Sequence, residues 1–235
     1  MSRNLAERVG RKILDRIAEG DYRIGEELPS EAVLAEELDV SRLTIREAIK
    51  NLAGRGVILV QHGKRNRLAP LENWDLLNVE LMKLRGSMRG ERRNLVEQLT
   101  EVRHVVEIGA AELAAVRITP SRLGVLRRHL EEMKAAESAT GAADVERAVE
   151  ADIAFHRTII EAAGNEFLQA TYRPLEEVLR AVRLETSAAE SVRREAIHWH
   201  GAILERLESH DPEGAREAMR SHMNQTMNAV REETA

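Results

Sequence analysis

Beyond Gly90 the chain repeats one pattern, in which apolar residues recur three and four positions apart and no alternating stretch predicts a strand. This spacing predicts six helical segments, near residues 91–117, 120–138, 144–163, 165–185, 189–209 and 212–232. Helix-ending residues such as Pro120 and Pro212 lie at the breaks. Pro174 is expected to kink or split the fourth segment. Helices joined by short breaks pack against one another, so the region predicts an antiparallel helical bundle.

The composition favours a helical protein of a reducing compartment. Aromatic residues make up only 3 % of the chain, so its cores must be built from aliphatic side chains. The absence of cysteine excludes disulfides, thiolate metal ligands and a cysteine nucleophile. The opening residues, MSRNLAERVGRKIL, contain no apolar core run and do not predict a signal peptide. No long apolar stretch predicts a membrane span, and we expect a cytoplasmic protein.

The charge of the chain is unevenly distributed. Residues 1–70 hold 13 basic and 11 acidic side chains, whereas the rest holds 22 and 29. Within residues 41–68 a single acid, Glu47, accompanies seven basic residues: Arg42, Arg46, Lys50, Arg55, Lys64, Arg65 and Arg67. A basic block in a chain whose net charge is −5 predicts a polyanionic partner at the N-terminal end.

The N-terminal region predicts three short helices followed by a hairpin. Helical stripes cover residues 4–19, 31–38 and 42–52, and Ser30 and Ser41 are candidate N-caps. The runs VILVQ and KRNRLAP predict two short strands. This order of elements is typical of a winged helix-turn-helix. Two helices are joined by a tight turn, the second helix is basic, and a basic hairpin follows. Such a helix fits the DNA major groove, while wing cations contact phosphate. The alternative is a solvated charged helix in a plain three-helix domain.

The run IGEELPSEAVLAEELDVSRLTIREAIKNLAGRGVI resembles the N-terminal domain of the GntR superfamily of bacterial transcription regulators, over about residues 5–69. The resemblance implies that Arg42 and Arg46 contact operator bases and that Thr44 assists them. It also implies that His62, at the tip of the wing, reaches into the minor groove. The predicted DNA-binding residues are Arg42, Thr44, Arg46, Lys50, His62, Gly63 and Lys64.

Ionisable residues interrupt four of the C-terminal helical stripes, and all of them face the predicted core. They are Arg103, Asp152, His156, His200 and His222. Burying such groups without partners is expensive, so partners are expected. Asp152 and His156 lie four positions apart on one helix face, an arrangement that chelates a divalent metal. His200 and His222 can complete a set of three histidines and one carboxylate. These ligands suit zinc, the metal expected here, and also nickel, manganese, iron or cobalt. For any single histidine the alternative is a hydrogen-bonded core residue.

The DxxxH motif in ADIAFHRTIIEAAGN resembles the ligand-binding domain of the FadR branch of the same superfamily, an all-helical domain of the FCD type with a metal centre. His200 in HGAIL and His222 in REAMRSHM match its remaining metal positions. The resemblance implies that Arg103 holds the carboxylate of an acid effector. Glu107 either orients Arg103 or lies on the helix surface. The segment NWDLLNVELMKL resembles the linker of sugar-acid regulators, which points to an aldonate or a similar hydroxy acid.

These features predict a mainly α protein with a winged helix-turn-helix at residues 1–69, a linker at 70–90 and a helical effector-binding and dimerisation domain at 91–235. The predicted function is that of a ligand-responsive transcription regulator, a repressor, that binds operator DNA as a homodimer. Its expected signal is a small organic acid, with a sugar acid as one candidate, at a metal-containing site. We expect no enzymatic activity, since the chain has neither an HExxH nor a nucleophile motif. The alternatives are a metal-dependent hydrolase and a DNA-binding protein whose metal is purely structural.

Overall fold

The computed structural model describes residues 2–61, 63–88, 90–138, 141–186 and 189–233. It divides the chain into two compact units, with the boundary between Arg92 and Arg93. The architecture is mainly α, as the sequence predicts. No helix among the described residues combines the length and the apolar character needed to cross a membrane.

The first unit is a winged helix-turn-helix. Its elements are α1 (Ser2–Glu19), α2 (Glu31–Glu37), α3 (Arg42–Gly54), β1 (Ile58–Leu59), β2 (Arg67–Leu68), a 3₁₀ turn (Leu71–Asn73) and α4 (Val79–Ser87). The hydroxyls of Ser30 and Ser41 accept hydrogen bonds from the amides of Val33 and Thr44, so both predicted N-caps are confirmed. Between the two helices Asp39 adopts a φ of 51°, which turns the chain tightly.

The wing is a two-stranded antiparallel hairpin in which Ile58 pairs with Leu68. Gly56 precedes it with a φ of 75°, and a Cβ atom at this position would lie 1.8 Å from the carbonyl oxygen of Asn73. Only glycine therefore fits where the chain enters the wing.

The core of the first unit is aliphatic and includes residues beyond the wing. Ile13, Leu34, Ile45 and Leu52 from the three N-terminal helices are buried together. Trp74 and Leu81, from the predicted linker, belong to the same core. The Trp74 indole also donates a hydrogen bond to the carbonyl oxygen of Ala69. The proposed domain boundaries stay a prediction.

The second unit is all-helical within its described residues. Its elements are α5 (Glu91–Arg117), α6 (Pro120–Ala135), α7 (Ala142–Ala162), α8 (Glu166–Tyr172), α9 (Leu175–Thr186), α10 (Glu190–Glu208) and α11 (Pro212–Glu233). The split at Pro174 confirms the expected effect of that proline, which separates α8 from α9. Asn165 caps α8 by accepting hydrogen bonds from the amides of Phe167 and Leu168.

The interior of the second unit has an apolar part and a polar part. Leu126, Phe155, Ile159, Ile203 and Met219 belong to the apolar core. The helices α5, α7, α9, α10 and α11 also bury charged or chelating side chains, namely Arg103, Glu107, Asp152, His156, Arg183, Arg193, His200 and His222. Buried groups of this kind need partners, so their arrangement identifies the candidate site.

Candidate functional site

The predicted DNA-contacting side chains of α3 are exposed on the first unit. Arg42, Arg46 and Lys50 are exposed, whereas Ile45 and Ile49 of the same helix are buried. Arg46 forms an ion pair with Glu31 on α2, with 3.1 Å between Nη2 and Oε2 and 67 % of its side chain exposed. The Thr44 hydroxyl is 2.9 Å from that of Ser41, so it supports the start of the helix. The charged face of α3 is therefore free of the protein core.

The wing carries the other predicted DNA contacts. Gly63 adopts a φ of 72° and Lys64 is exposed next to it. The Lys64 amide donates to the Gln61 carbonyl, which closes the turn. His62, also predicted to contact DNA, lies outside the described residues.

In the second unit, four predicted metal ligands meet at one place. Asp152 and His156 lie on α7, His200 on α10 and His222 on α11, and all four are buried. One ligand atom from each lies within 4.8 Å of the other three. His156 Nε2 is 3.1 Å from His200 Nε2 and 3.3 Å from His222 Nε2, and Asp152 Oδ1 is 3.3 Å from His200 Nε2. Zinc–nitrogen bonds of about 2.0–2.1 Å in a tetrahedral site separate ligand atoms by about 3.3 Å. The cluster could therefore hold a metal ion.

The hydrogen bonds of the histidine rings favour a cluster that holds a cation over a cluster without one. His200 Nδ1 lies 2.6 Å from the Ala196 carbonyl oxygen, so this nitrogen carries the proton and Nε2 presents a lone pair. His156 Nδ1 lies 2.6 Å from Glu107 Oε2, and although the contact is not a well-aligned hydrogen bond, the carboxylate favours the tautomer with the ring proton on Nδ1. The two Nε2 lone pairs then face each other at 3.1 Å, which repels unless a cation lies between them.

Burial keeps the His200 and His222 rings neutral. Loss of solvent lowers the pKa of His200 from 6.5 to about 3, despite the opposing effect of the Asp152 carboxylate. Burial, reinforced by the two neighbouring rings, lowers the pKa of His222 well below 6.5. His222 Nδ1 is buried without a hydrogen-bond partner among the described residues. Neutral imidazoles are the form that binds metals.

A buried carboxylate, Glu107 on α5, organises the surroundings of the cluster. Its Oε1 accepts from Arg103 Nε at 2.7 Å and from the Tyr172 hydroxyl at 2.9 Å, while Oε2 faces His156. Burial alone would raise the Glu107 pKa, but Arg103 and His156 outweigh it and hold that pKa below its usual range. Glu107 is thus ionised and orients both the effector-binding candidate Arg103 and a metal-ligand candidate.

A second arginine, Arg183 on α9, contacts the carboxylate of the cluster. Its Nε lies 2.8 Å from Asp152 Oδ2, an ion pair without aligned hydrogen-bond geometry, while Oδ1 faces the histidines. Arg183 is 9 % exposed, and its Nη2 is buried without a hydrogen-bond partner among the described residues. Asp152 therefore connects the histidine cluster to a cation with unused donor capacity.

A cavity of about 60 Å³ adjoins the cluster. Ten of the seventeen residues that line it are apolar, among them Leu99, Val149 and Ile197. Its charged lining residues are Arg103, Asp152, Arg183 and Arg193. The three guanidinium groups in the lining offer hydrogen-bond donors to an anionic ligand.

Sequence reasoning missed two members of this site and left a third undecided. Arg183 was missed although it continues the apolar stripe of Leu175, Leu179 and Val182, a signal available in the sequence. Tyr172 gives no such signal, because its partner Glu107 is 65 positions away. Glu107, left open between an orienting and a surface role, is only 1 % exposed.

Family comparisons match both halves of the chain. The family described as "Bacterial regulatory proteins, gntR family" matches residues 5–67, and the family described as "FCD domain" matches residues 98–225. The second match contains Arg103 and all four residues of the metal-ligand cluster.

Similar proteins of known sequence or structure are transcription regulators. The galactonate operon transcriptional repressor of Escherichia coli (strain K12) is 28 % identical over 93 % of this chain and 93 % of its own length. The HTH-type transcriptional regulator LutR of Bacillus subtilis (strain 168) is 33 % identical over 72 % of this chain and 73 % of its own. The solved structure of a Streptococcus agalactiae GntR is 26 % identical, covers 95 % of this chain and 99 % of its own, and superposes with a TM-score of 0.52.

Proposed function

The chain belongs to the GntR family of bacterial transcription regulators, with a C-terminal FCD domain, and we propose that it is a repressor that senses a small organic acid at a metal-containing site. It is a ligand-responsive DNA-binding regulator and not an enzyme. We propose the acid effector, the metal, the residues that bind them, the homodimeric state and a cytoplasmic location. The observation that carries it is the buried histidine cluster next to a cavity lined by arginines.

In this proposal the first unit reads operator DNA. Arg42 and Arg46 contact base edges from α3, Thr44 and Lys50 support them, and the wing residues Gly63 and Lys64 approach the phosphates, with His62 at the wing tip. The exposure of the α3 cations and the left-handed backbone of Gly63 support this assignment.

Asp152, His156, His200 and His222 would hold a divalent metal, with zinc as the first choice. Three imidazoles and one carboxylate bind zinc well, and nickel, manganese, iron or cobalt also accept this set. The opposed Nε2 lone pairs of His156 and His200 support a cation at this place. When bound, the metal would supply a concentrated positive charge that attracts a carboxylate.

The charge of the site explains why the signal would be an acid. Glu107 and Asp152 neutralise Arg103 and Arg183, so these four groups have no net charge. A divalent metal among neutral histidines adds two positive charges in a buried volume, and an anion is needed to balance them. Arg103 would bind the carboxylate because its guanidinium offers a fork of donors and Glu107 fixes its orientation. The galactonate repressor among the similar proteins supports a sugar acid as one candidate.

A homodimer would place two recognition helices on a two-fold symmetric operator. Three valines on one face of α5 support self-association, since Val102, Val105 and Val116 are 44 %, 78 % and 65 % exposed. Acid binding would shift the equilibrium between DNA-binding and released states, with a coupling of about 1–3 kcal/mol.

The competing reading is a purely structural metal, since four protein ligands can close a zinc site. To separate the two, the metal-loaded full chain is bound to a DNA duplex selected from a random library, and fluorescence anisotropy is followed while a panel of carboxylic acids is added. We expect at least one acid to weaken binding by about 5- to 150-fold. Arg103→Lys keeps the charge but loses the fork, and should lose the response while retaining metal and DNA affinity. A complete lack of response to acids, or an undiminished response in Arg103→Lys, would contradict the proposal.

A further inference from the structure

The dimensions and lining of the cavity beside Asp152 restrict the acid that fits it. We infer that the effector is a short aliphatic carboxylate of about three or four carbons, anchored by Arg183, and not a polyhydroxylated sugar acid. The inference rests on the proposed function, because it names the class of acid that the same site would bind.

The volume of the cavity matches a short acid. Each water-sized group needs about 10–15 Å³ of cavity volume, so the volume of about 60 Å³ holds roughly four to six such groups. Lactate has about six non-hydrogen atoms, whereas a six-carbon aldonate has about thirteen, so only the shorter acid matches this capacity. A six-carbon aldonate would extend beyond this volume.

The cavity lining has few neutral polar side chains that could bond the hydroxyl groups of a sugar acid. Two of the three neutral polar side chains in the lining have committed their hydroxyl protons and can only accept, because Thr100 donates to the Val96 carbonyl and Thr226 donates to the His222 carbonyl. The third is Gln225. A hexonate carries about five hydroxyls, and burying hydroxyls without hydrogen bonds is unfavourable. An aliphatic tail, in contrast, is matched by Val149, Leu179 and Ile197, which also line the cavity.

Arg183 lines the cavity in a position to bind the carboxylate of the acid. Its Nη2 is buried without a partner among the described residues, it lines the cavity, and its Nε is held by Asp152. A buried guanidinium donor without an acceptor is unfavourable in the free protein, and a ligand carboxylate satisfies it. Arg103, by contrast, donates from Nε and Nη2 to the two carboxylate oxygens of Glu107. Arg183 is therefore a second anchor for the carboxylate, beside Arg103, and the one with the larger unused donor capacity.

The test of size uses the zinc-loaded full chain and isothermal titration calorimetry. The probes are propionate, lactate and 2-hydroxybutyrate on one side, and galactonate and gluconate on the other. We expect at least one of the short acids to bind with a Kd about ten-fold or more below that of either hexonate. Equal or tighter binding of a hexonate would overturn the inference and leave the proposed acid sensor intact. Failure of every acid to bind would overturn both.

The test of the anchor compares two arginines of α9. Arg183→Gln removes the charge at the cavity, while Arg180→Gln is the matched control, since Arg180 pairs with Glu150 outside the cavity lining. We expect Arg183→Gln to weaken binding of the short acid about ten-fold or more, and Arg180→Gln to change it less than about two-fold. Zinc content and circular dichroism show whether each variant keeps its fold and metal. Unchanged acid affinity in a folded, zinc-loaded Arg183→Gln protein would overturn the role of Arg183. If that variant loses zinc or unfolds, Arg183→Lys is titrated instead, with the same expected loss.

Discussion

His156 Nδ1 and Glu107 Oε2 lie 2.6 Å apart, and this contact joins a metal-ligand candidate on α7 to a buried carboxylate on α5. Glu107 also accepts from Arg103 and from the Tyr172 hydroxyl, so one carboxylate holds a cation, a phenol and an imidazole in place. The site thus depends on a group that binds neither metal nor acid itself. Carboxylates behind a metal-binding histidine fix the ring tautomer in this way.

Replacing Glu107 with glutamine should strongly destabilise the protein. Arg103 would remain charged and buried without its counter-ion, and removing one partner of a buried pair costs about 3–5 kcal/mol. Urea unfolding of metal-free protein measures the difference. Glu101→Gln, an exposed carboxylate on the same helix, is the control and should change stability by less than about 0.5 kcal/mol. Equal stability of the two variants would show that the Glu107 network contributes little.

The metal-free protein should lose stability as the pH falls from 7.5 to 5.5. Burial lowers the pKa of His200 to about 3 and that of His222 well below 6.5, while both histidines titrate near 6.5 in the unfolded chain. Below pH 6.5 the unfolded state therefore binds protons that the folded state does not, and the folding equilibrium shifts towards the unfolded state. We expect a loss of about 2.5–3 kcal/mol over this interval.

Urea unfolding at the two pH values checks this loss, and the chosen interval lies above the range in which carboxylates titrate. His200→Phe should remove about half of the pH dependence, because the remaining contribution comes from His222. His198→Asn, at an exposed position on the same helix, should leave it unchanged. A flat profile in the parent protein would mean that these histidines are not held neutral by burial.

Arg42→Ala should weaken binding to a selected operator duplex by about 1–3 kcal/mol and relax the preference at one or two base positions. The side chain lies exposed at the start of α3, so its removal should not affect folding. Lys12→Ala, an exposed cation on α1, is the control. Electrophoretic mobility shifts on specific and scrambled duplexes separate the loss of base recognition from a general loss of DNA affinity. A loss shared equally between the duplexes would assign Arg42 to phosphate contact only.

Lys64→Ala should instead weaken specific and non-specific DNA alike. A wing cation that contacts phosphate releases about one counter-ion, so the slope of log K against log salt should decrease by about one unit. Anisotropy titrations between low and moderate salt give this slope. An unaltered slope would place the wing tip away from the DNA backbone.

Much of the fold follows from local pattern in the sequence. The helical spacing of apolar residues and the punctuation by Pro120, Pro174 and Pro212 predict the helices of the second unit to within a few residues. The pairing of Asp152 with His156 is likewise local, because a separation of four residues brings two side chains to one helix face.

The polar network around the cluster does not follow from such patterns. Arg180 and Arg183 lie one turn apart on α9, yet Arg180 pairs with Glu150 at the surface and Arg183 with the buried Asp152. Nothing in their spacing distinguishes the two partners, which are set by the packing of α9 on α7. The same holds for Tyr172 and Glu107, which meet only when α8 is placed against α5.

The central claim is that α7, α10 and α11 hold one divalent metal at Asp152, His156, His200 and His222. Its most direct test is an anomalous-scattering map at the zinc edge, from crystals of protein purified without chelator and supplied with zinc. The claim predicts a single strong peak about 2.0–2.2 Å from the Nε2 atoms of the three histidines and from a carboxylate oxygen of Asp152, and no such peak in His200→Ala crystals. Absence of that peak in the parent protein, or an unchanged peak in the variant, would contradict it.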